Sequence, residues 1–151
     1  DFEYLEEKLK IDREDLDIEL LQQAQNAFHA GEGAGIHIAK RDSFEYRLKK
    51  ADATAYKFHR ERLIAEGEKS TEKVLEAEVR TDADYNVVLK AYLTQVKRAA
   101  RWQALTRAFN DRRDMLKELS ARERSRLYDE RSDSFERTEA RSNFDQKRKR
   151  V

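Results

Sequence analysis

Basic and aromatic side chains alternate between positions 49 and 62, a pattern suited to binding an anionic polymer. The polar members of this basic cluster are Lys49, Lys50, Lys57, His59, Arg60 and Arg62. Lys and Arg neutralise phosphates, and the rings of Tyr56 and Phe58 could stack on the bases of a single strand. We therefore predict a nucleic-acid-binding site here. The alternative is that the two aromatic residues are core and the cations form a solvated helix face.

A second set of cations forms a row on the longest predicted helix. This basic row consists of Lys90, Lys97, Arg98 and Arg101, with Thr94 between them at three- and four-residue steps. Such spacing places them on one side of a helix, as a secondary site for phosphates. Residues 1–20 carry nine acids and three bases (−6), whereas residues 86–127 carry four acids and eleven bases (+7). The alternative is therefore that the basic row pairs with the acidic N-terminal segment.

Residues that commonly carry out catalysis are missing or scattered. The chain has no Cys, so disulfides, thiolate catalysis and Cys-based zinc sites are excluded. Its three His, at positions 29, 37 and 59, lack the spacing of metal ligands, and no Ser stands in a nucleophile motif. We expect no enzymatic activity, no cofactor and no metal site.

Composition sets the fold class. Of 151 residues 42% are charged, none is Pro and only four are Gly, whereas sheet proteins need turn residues every ~8–12 positions. This composition predicts an all-α fold of long helices that are rich in charged residues. No apolar run approaches the ~18–20 residues of a membrane span, so we expect no membrane partner and a cytoplasmic location.

The first long helix should begin near Asp12 and Asp15, which resemble an acidic start signal. It then meets three Gly within residues 31–35, each costing about 1 kcal/mol relative to Ala in a helix. We interpret this stretch as a break or hinge, although a helix could continue through it. It is not a phosphate-binding loop, because no Lys-Ser/Thr follows and no strand precedes it.

Residues 36–66 predict one helix with two nearly opposite apolar rows. One row consists of Phe44, Leu48, Ala51, Ala55 and Phe58, and the other of Ala39, Tyr46, Ala53, Tyr56 and Ile64. A helix that is apolar on both sides needs two partners. We expect one to be a helix of the same chain and the other, which Tyr46 and Tyr56 contact, to be another subunit.

A short helix over residues 71–80 and a very long helix from position 82 should follow. The long helix has a heptad-like seam formed by Tyr85, Val88, Tyr92, Ala99, Trp102, Phe109 and Leu116. Residues 83–127 alone would span about 67 Å at about 1.5 Å per residue. This length exceeds a compact domain, so the helix must form a hairpin with another long helix or project into an assembly.

The chain divides by composition into a helical domain over residues 1–128 and a polar extension over residues 129–151. The extension ends in four consecutive cations at positions 147–150. It contains few large apolar residues and should fray on its own, so we expect it to be helical and ordered by subunit contacts. The residues expected to make these contacts are Phe135 and Phe144 of the extension and the preceding Tyr128.

Residues 70–119 carry a more specific pattern. A short helix precedes the Thr81-Asp82-x-x-Tyr85 start of a long helix, which closes on Arg112-Arg113-x-x-Leu116. Upstream, residues 60–63 read Arg-Glu-Arg-Leu, a basic-x-Arg-Leu motif. In this order the chain resembles the UvsY-type recombination mediator proteins of bacteriophages, best over residues 45–120.

This resemblance implies a function and partners. Such proteins form closed homo-oligomeric rings, here of about six or seven subunits, and bind single-stranded DNA without sequence specificity. They help a RecA-like recombinase replace the single-strand-binding protein, in the cytoplasm of an infected bacterial host, and have no enzymatic activity. Arg60 and Arg62 fall on the family's DNA-contact motif. The Gly-rich residues 31–35 and the long basic-ended extension depart from the family pattern.

Two other functions fit the same helices. One is a coiled-coil structural or scaffolding protein of a phage or bacterium without a DNA role. The other is an adaptor that binds a protein through its acidic N-terminal segment. The DNA-binding function requires unpaired cations, whereas the scaffolding function requires cations that are paired.

Overall fold

The computed structural model describes the backbone of residues 1–148 and the side chains of residues 1–131. It contains four helices: α1 (Phe2–Glu7), α2 (Leu16–Ala65), α3 (Glu72–Thr81) and α4 (Ala83–Arg148). Residues 1–148 contain no strand, which confirms the predicted all-α class.

Helices α2 and α4 form a long antiparallel hairpin. Gln23 near the start of α2 donates a hydrogen bond to the Phe109 carbonyl at 2.6 Å. Towards the other end, His59 lies 3.1 Å from Asp82, which immediately precedes α4. Helix α2 has 50 residues and is therefore about 75 Å long. The hairpin is thus longer than the diameter of a compact domain.

The core is centred on the N-terminal half of α2. Leu5 of α1, Ala30 of α2, and Leu105 and Phe109 of α4 form one buried cluster. The predicted seam of α4 faces this interior: Ala99, Phe109 and Leu116 are buried, and its other four members are half-buried. The regular 3–4 spacing of apolar residues therefore identified the contact side of α4.

Helix α2 runs without interruption through residues 31–35, so the predicted break is wrong. Ala30 and Ala34 are buried there. A methyl group added at Gly33 would overlap the Trp102 ring of α4, whereas Gly31 and Gly35 have open space around them. The cost of three glycines, about 1 kcal/mol each, is outweighed by packing along the hairpin, and Gly33 permits the close approach of Trp102.

Two caps fix the short connections around α3. After α2, Gly67 adopts a φ of 72°, and the N–H of Glu68 donates to the Leu63 carbonyl at 2.9 Å, a Schellman-type end. Before α4, the Asp82 carboxylate accepts a hydrogen bond from the Tyr85 N–H at 2.8 Å. The predicted helix start at Thr81 and Asp82 is thereby explained.

Helix α4 continues past the hairpin. Near the beginning of α2, Leu16 and Leu20 share a surface groove with Ser120 and Leu127. Residues 128–148 therefore extend about 30 Å beyond α2, and the backbone crosses the predicted boundary at position 128 without a break. The side chains of Phe135 and Phe144, and all of residues 149–151, lie outside the described residues.

Candidate nucleic-acid interface

The basic cluster on α2 is only partly available to a ligand. Four of its members, Lys49, Lys50, Lys57 and Arg60, are exposed. The Lys49 ammonium lies 2.8 Å from Glu45, and the Lys57 ammonium lies 3.8 Å from Glu61. The hydrogen bond to Glu45 raises the pKa of Lys49. Pairs of this kind, one helical turn apart on the surface, are weak, and a phosphate could replace the carboxylate.

His59 does not belong to the exposed surface, contrary to its predicted role. It is 6% exposed, with Nε2 3.1 Å from Asp82 and Nδ1 3.6 Å from Glu78. The Tyr85 backbone N–H lowers the pKa of Asp82, and the hydrogen bond to His59 lowers it further against the effect of desolvation. His59 joins α2 to α3 and to the start of α4, where it cannot reach a phosphate.

Arg62 is held by carboxylates of its own chain. Its guanidinium donates to Glu78 at 2.7 Å and lies 3.9 Å from Glu66. The hydrogen bond to Glu78 raises the pKa of Arg62. By contrast, Lys50 and Arg60 form no ion pair within residues 1–131. Of the two arginines in the predicted DNA-contact motif, only Arg60 is therefore unengaged.

The aromatic residues of this region differ in exposure. Tyr56 is half-buried, which favours the core alternative, whereas Phe58 is 59% exposed and packs edge-to-face with His59 at 5.3 Å between ring centroids. The groove beside Phe58 is lined by Lys50 of α2 but also by Asp82 and Asp84. This mixture of charges makes the groove a poor site for phosphate.

The basic row on α4 is exposed along its length. Within residues 1–131, Lys90, Lys97, Arg98 and Arg101 form no ion pair, so pairing with the acidic N-terminal segment is not observed for these four side chains. That segment meets the row through an aromatic ring instead: the Arg101 guanidinium carbon lies 4.3 Å from the Phe2 ring centroid. These four cations remain unneutralised by carboxylates.

The acidic N-terminal segment uses a different cation, Arg112, whose role the sequence did not reveal. Arg112 is 3% exposed, pairs with Glu19, and donates to the Gln23 side chain at 2.6 Å and to the Lys10 carbonyl at 3.3 Å. The burial of Arg112 could have been predicted from its spacing, because it lies three residues after Phe109 and four before Leu116. That spacing places a charged residue in the apolar seam.

The two basic surfaces do not merge into one groove. The buried sides of α2 and α4 face each other, so Lys50 and Lys57 point away from one side of the hairpin, and Lys90 and Lys97 point away from the opposite side. Arg98 lies nearer the contact between α4 and α2, close to His37. Desolvation lowers the pKa of His37, and the charges of Lys40 and Arg98 lower it further. Lys40 and Arg98 thus both act on His37, from α2 and α4 respectively.

Of the three predicted subunit contacts whose side chains are described, two are exposed. Tyr46 is 72% exposed and Tyr128 is 73% exposed, while Tyr56 is half-buried. The second apolar row of α2 is therefore mostly uncovered within the described part of the chain, and its partner is not among residues 1–131.

The described part of the chain carries neither a metal site nor a membrane span. Among the residues whose side chains are described, no group of three or more His, Asp or Glu could hold a metal ion. Within residues 1–148, no helix combines the length and the apolar character needed to cross a membrane.

Together these features define an all-α protein built on a long antiparallel helical hairpin with cations on both outer sides. No protein-family model, curated protein or solved structure matches this chain.

Proposed function

We propose that this protein binds single-stranded DNA without sequence specificity and acts as a recombination mediator. The observation that carries the DNA-binding step is the basic row on α4. Lys90, Lys97 and Arg98 are exposed over about 12 Å of one helix and have no carboxylate partner within residues 1–131. Free cations along one helix suit the phosphates of an extended strand, and such contacts carry no sequence information.

Assembly makes a weak site effective. Four cations per copy give modest affinity at physiological salt, but several copies bound to one strand raise the effective concentration of each site. We therefore include in the proposal a homo-oligomeric ring of about six or seven subunits. The exposed Tyr46 and Tyr128 and the projecting end of α4 support this part.

The partners proposed for the mediator step are a RecA-like recombinase and a single-strand-binding protein. This step rests on the resemblance of residues 45–120 to the phage mediators, in helix order and in the Thr81-Asp82-x-x-Tyr85 and Arg112-Arg113-x-x-Leu116 motifs. An acidic segment such as residues 1–20 could contact the recombinase.

Fluorescence anisotropy with a labelled, mixed-sequence single-stranded oligonucleotide at several salt concentrations tests the DNA-binding step. The logarithm of the affinity should fall with the logarithm of salt with a slope of about −3 for four phosphate contacts per copy. Lys90→Ala with Lys97→Ala should weaken binding and flatten this slope.

A matched control removes two other bases from the same helix. Arg113 and Lys117 are exposed, but both lie against Asp114, at 3.1 and 3.7 Å. Arg113→Ala with Lys117→Ala should weaken binding less than the first double variant, because Asp114 competes with phosphate for these two cations. An equal loss of oligonucleotide affinity in both double variants would show that binding depends on the overall charge and not on the basic row.

The second candidate is a structural or scaffolding protein. The carboxylate partners of Lys49, Lys57 and Arg62 favour it, because a scaffold needs its cations paired. Absence of binding to the oligonucleotide at about 50 mM salt, where phosphate contacts are strong, would support this candidate and remove the mediator function.

A further inference from the structure

The side of α2 turned away from α4 carries a straight row of uncovered apolar side chains. Leu21 is 81%, Phe28 67%, Tyr46 72% and Ile64 59% exposed. Their spacings of 7, 18 and 18 residues bring each to within about 20° of the previous one around the helix. No part of the chain within residues 1–131 covers this row, which is about 65 Å long.

Charges beside this row change sign along the helix. Within about 60° of the row, the half before position 43 has acids and no bases: Asp17, Glu32 and Asp42. The other half has four bases and one acid: Lys49, Lys50, Lys57, Arg60 and Glu61. Apart from the two Asp42 near its middle, a partner helix with the same distribution would meet opposite charges if it ran antiparallel and like charges if it ran parallel.

We propose that the partner of this surface is a second copy of the same chain, bound antiparallel along α2. Leu21 of each copy lies opposite Ile64 of the other, which places a two-fold axis between positions 42 and 43. Glu32 then lies between Lys50 and Lys57 of the second copy. Such an interface is isologous, because each contact occurs twice.

The available area matches what a stable dimer needs. A strip about 65 Å long and one helix diameter wide, about 12 Å, corresponds to roughly 800 Å² per copy, the usual contribution of one partner to a specific interface. An isologous pair does not by itself make a ring. A ring of the kind proposed above is then assembled from such dimers through another surface and contains an even number of copies.

This inference does not rest on DNA binding, because the basic row on α4 lies on the opposite side of the hairpin. The molar mass of the protein without DNA, measured by light scattering or sedimentation across a concentration series, tests it first. The expected mass is that of a dimer or of an even multiple. A monomer at all concentrations, or an odd number of copies, would overturn the pairing and leave the DNA-binding proposal standing.

Substitutions on and off the row distinguish this interface from non-specific hydrophobic association. Leu21→Glu should lower the mass to that of the monomer, because it places a carboxylate in the apolar row. Val87→Glu is the matched control, since Val87 is 68% exposed on α4 outside the row. Its mass should not change, and an equal loss of association in both variants would contradict the proposal.

A charge exchange tests the register without removing apolar contacts. Glu32→Lys and Lys57→Glu should each weaken the dimer, because each creates like-charge contacts between copies. Combining both substitutions in one chain should restore association. Two weakened single variants without recovery in the double variant would disprove the antiparallel contact between these residues.

Cross-linking reports the direction directly, because the chain has no Cys of its own. With a short bis-maleimide, Ser43→Cys should link to itself near the two-fold axis. Leu21→Cys should link to Ile64→Cys when the two proteins are mixed, and neither should link to itself. Self-linking of Leu21→Cys would indicate parallel pairing and overturn the proposal.

Discussion

The six-membered ring of Trp102 lies directly over Gly33 on the opposite helix of the hairpin, where it occupies the space of a β-carbon. Trp102 also stacks on His37 at 5.5 Å between ring centroids and packs nearly perpendicular to Phe2 at 5.2 Å. One ring therefore ties α4 to α2 and to α1, and a glycine makes the contact possible.

Gly33→Ala should destabilise the protein by about 1–3 kcal/mol, because the added methyl forces Trp102 out of its packing position. Gly31→Ala is the matched control. It has open space around it and should gain about 0.5–1 kcal/mol from helix propensity. Urea denaturation of both variants at one protein concentration measures the difference. A Gly33→Ala protein as stable as the Gly31→Ala protein would contradict the close contact.

Arg112 is the second position where one side chain fastens the hairpin. Arg112→Ala leaves the Glu19 carboxylate and the Gln23 side chain without their buried partner, and should cost about 3–5 kcal/mol of unfolding free energy. The neighbouring Arg113→Ala should change stability little, because Arg113 is exposed and, among residues 1–131, bonded only to Asp114. Chemical denaturation distinguishes the two, and similar losses would rule out a special role for Arg112.

Composition was enough to predict an all-α chain. Local spacing and the capping residue Asp82 were enough to predict the start of α4 and its contact side. The prediction failed at residues 31–35, because the helix propensity of three glycines argues for a break. Gly33 is explained by its contact with the ring of Trp102, which lies far away along the sequence. The prediction failed at His59 for a similar reason. The partners of His59, Glu78 and Asp82, come close only when α3 folds back on α2.

Acid should weaken the junction of α2, α3 and α4. The folded-state pKa of Asp82 is lowered from 3.8, so its stabilising contribution is present above that pH and is lost as the pH falls through the lower folded value. Asp82→Asn keeps a capping oxygen for the Tyr85 N–H but removes the charge beside His59. The stability difference between wild type and Asp82→Asn, followed by denaturation from neutral pH downwards, should shrink below pH 3.8. A difference independent of pH would show that the charge does not contribute.

The two arginines of the predicted DNA-contact motif should respond differently to substitution. Arg62→Ala removes the link to Glu78 at 2.7 Å and should lower the denaturation midpoint, with little effect on oligonucleotide affinity, because this guanidinium is already engaged. Arg60→Ala removes an exposed cation without a carboxylate partner in the described part of the chain, so it should leave the midpoint unchanged. If the α2 surface contacts phosphates, Arg60→Ala also reduces affinity and the salt slope by about one contact.

The double variant should combine the two separate effects, since they arise from different interactions. A loss of affinity in Arg62→Ala without a change in midpoint would show that DNA displaces Glu78, and would restore Arg62 to the DNA-binding surface.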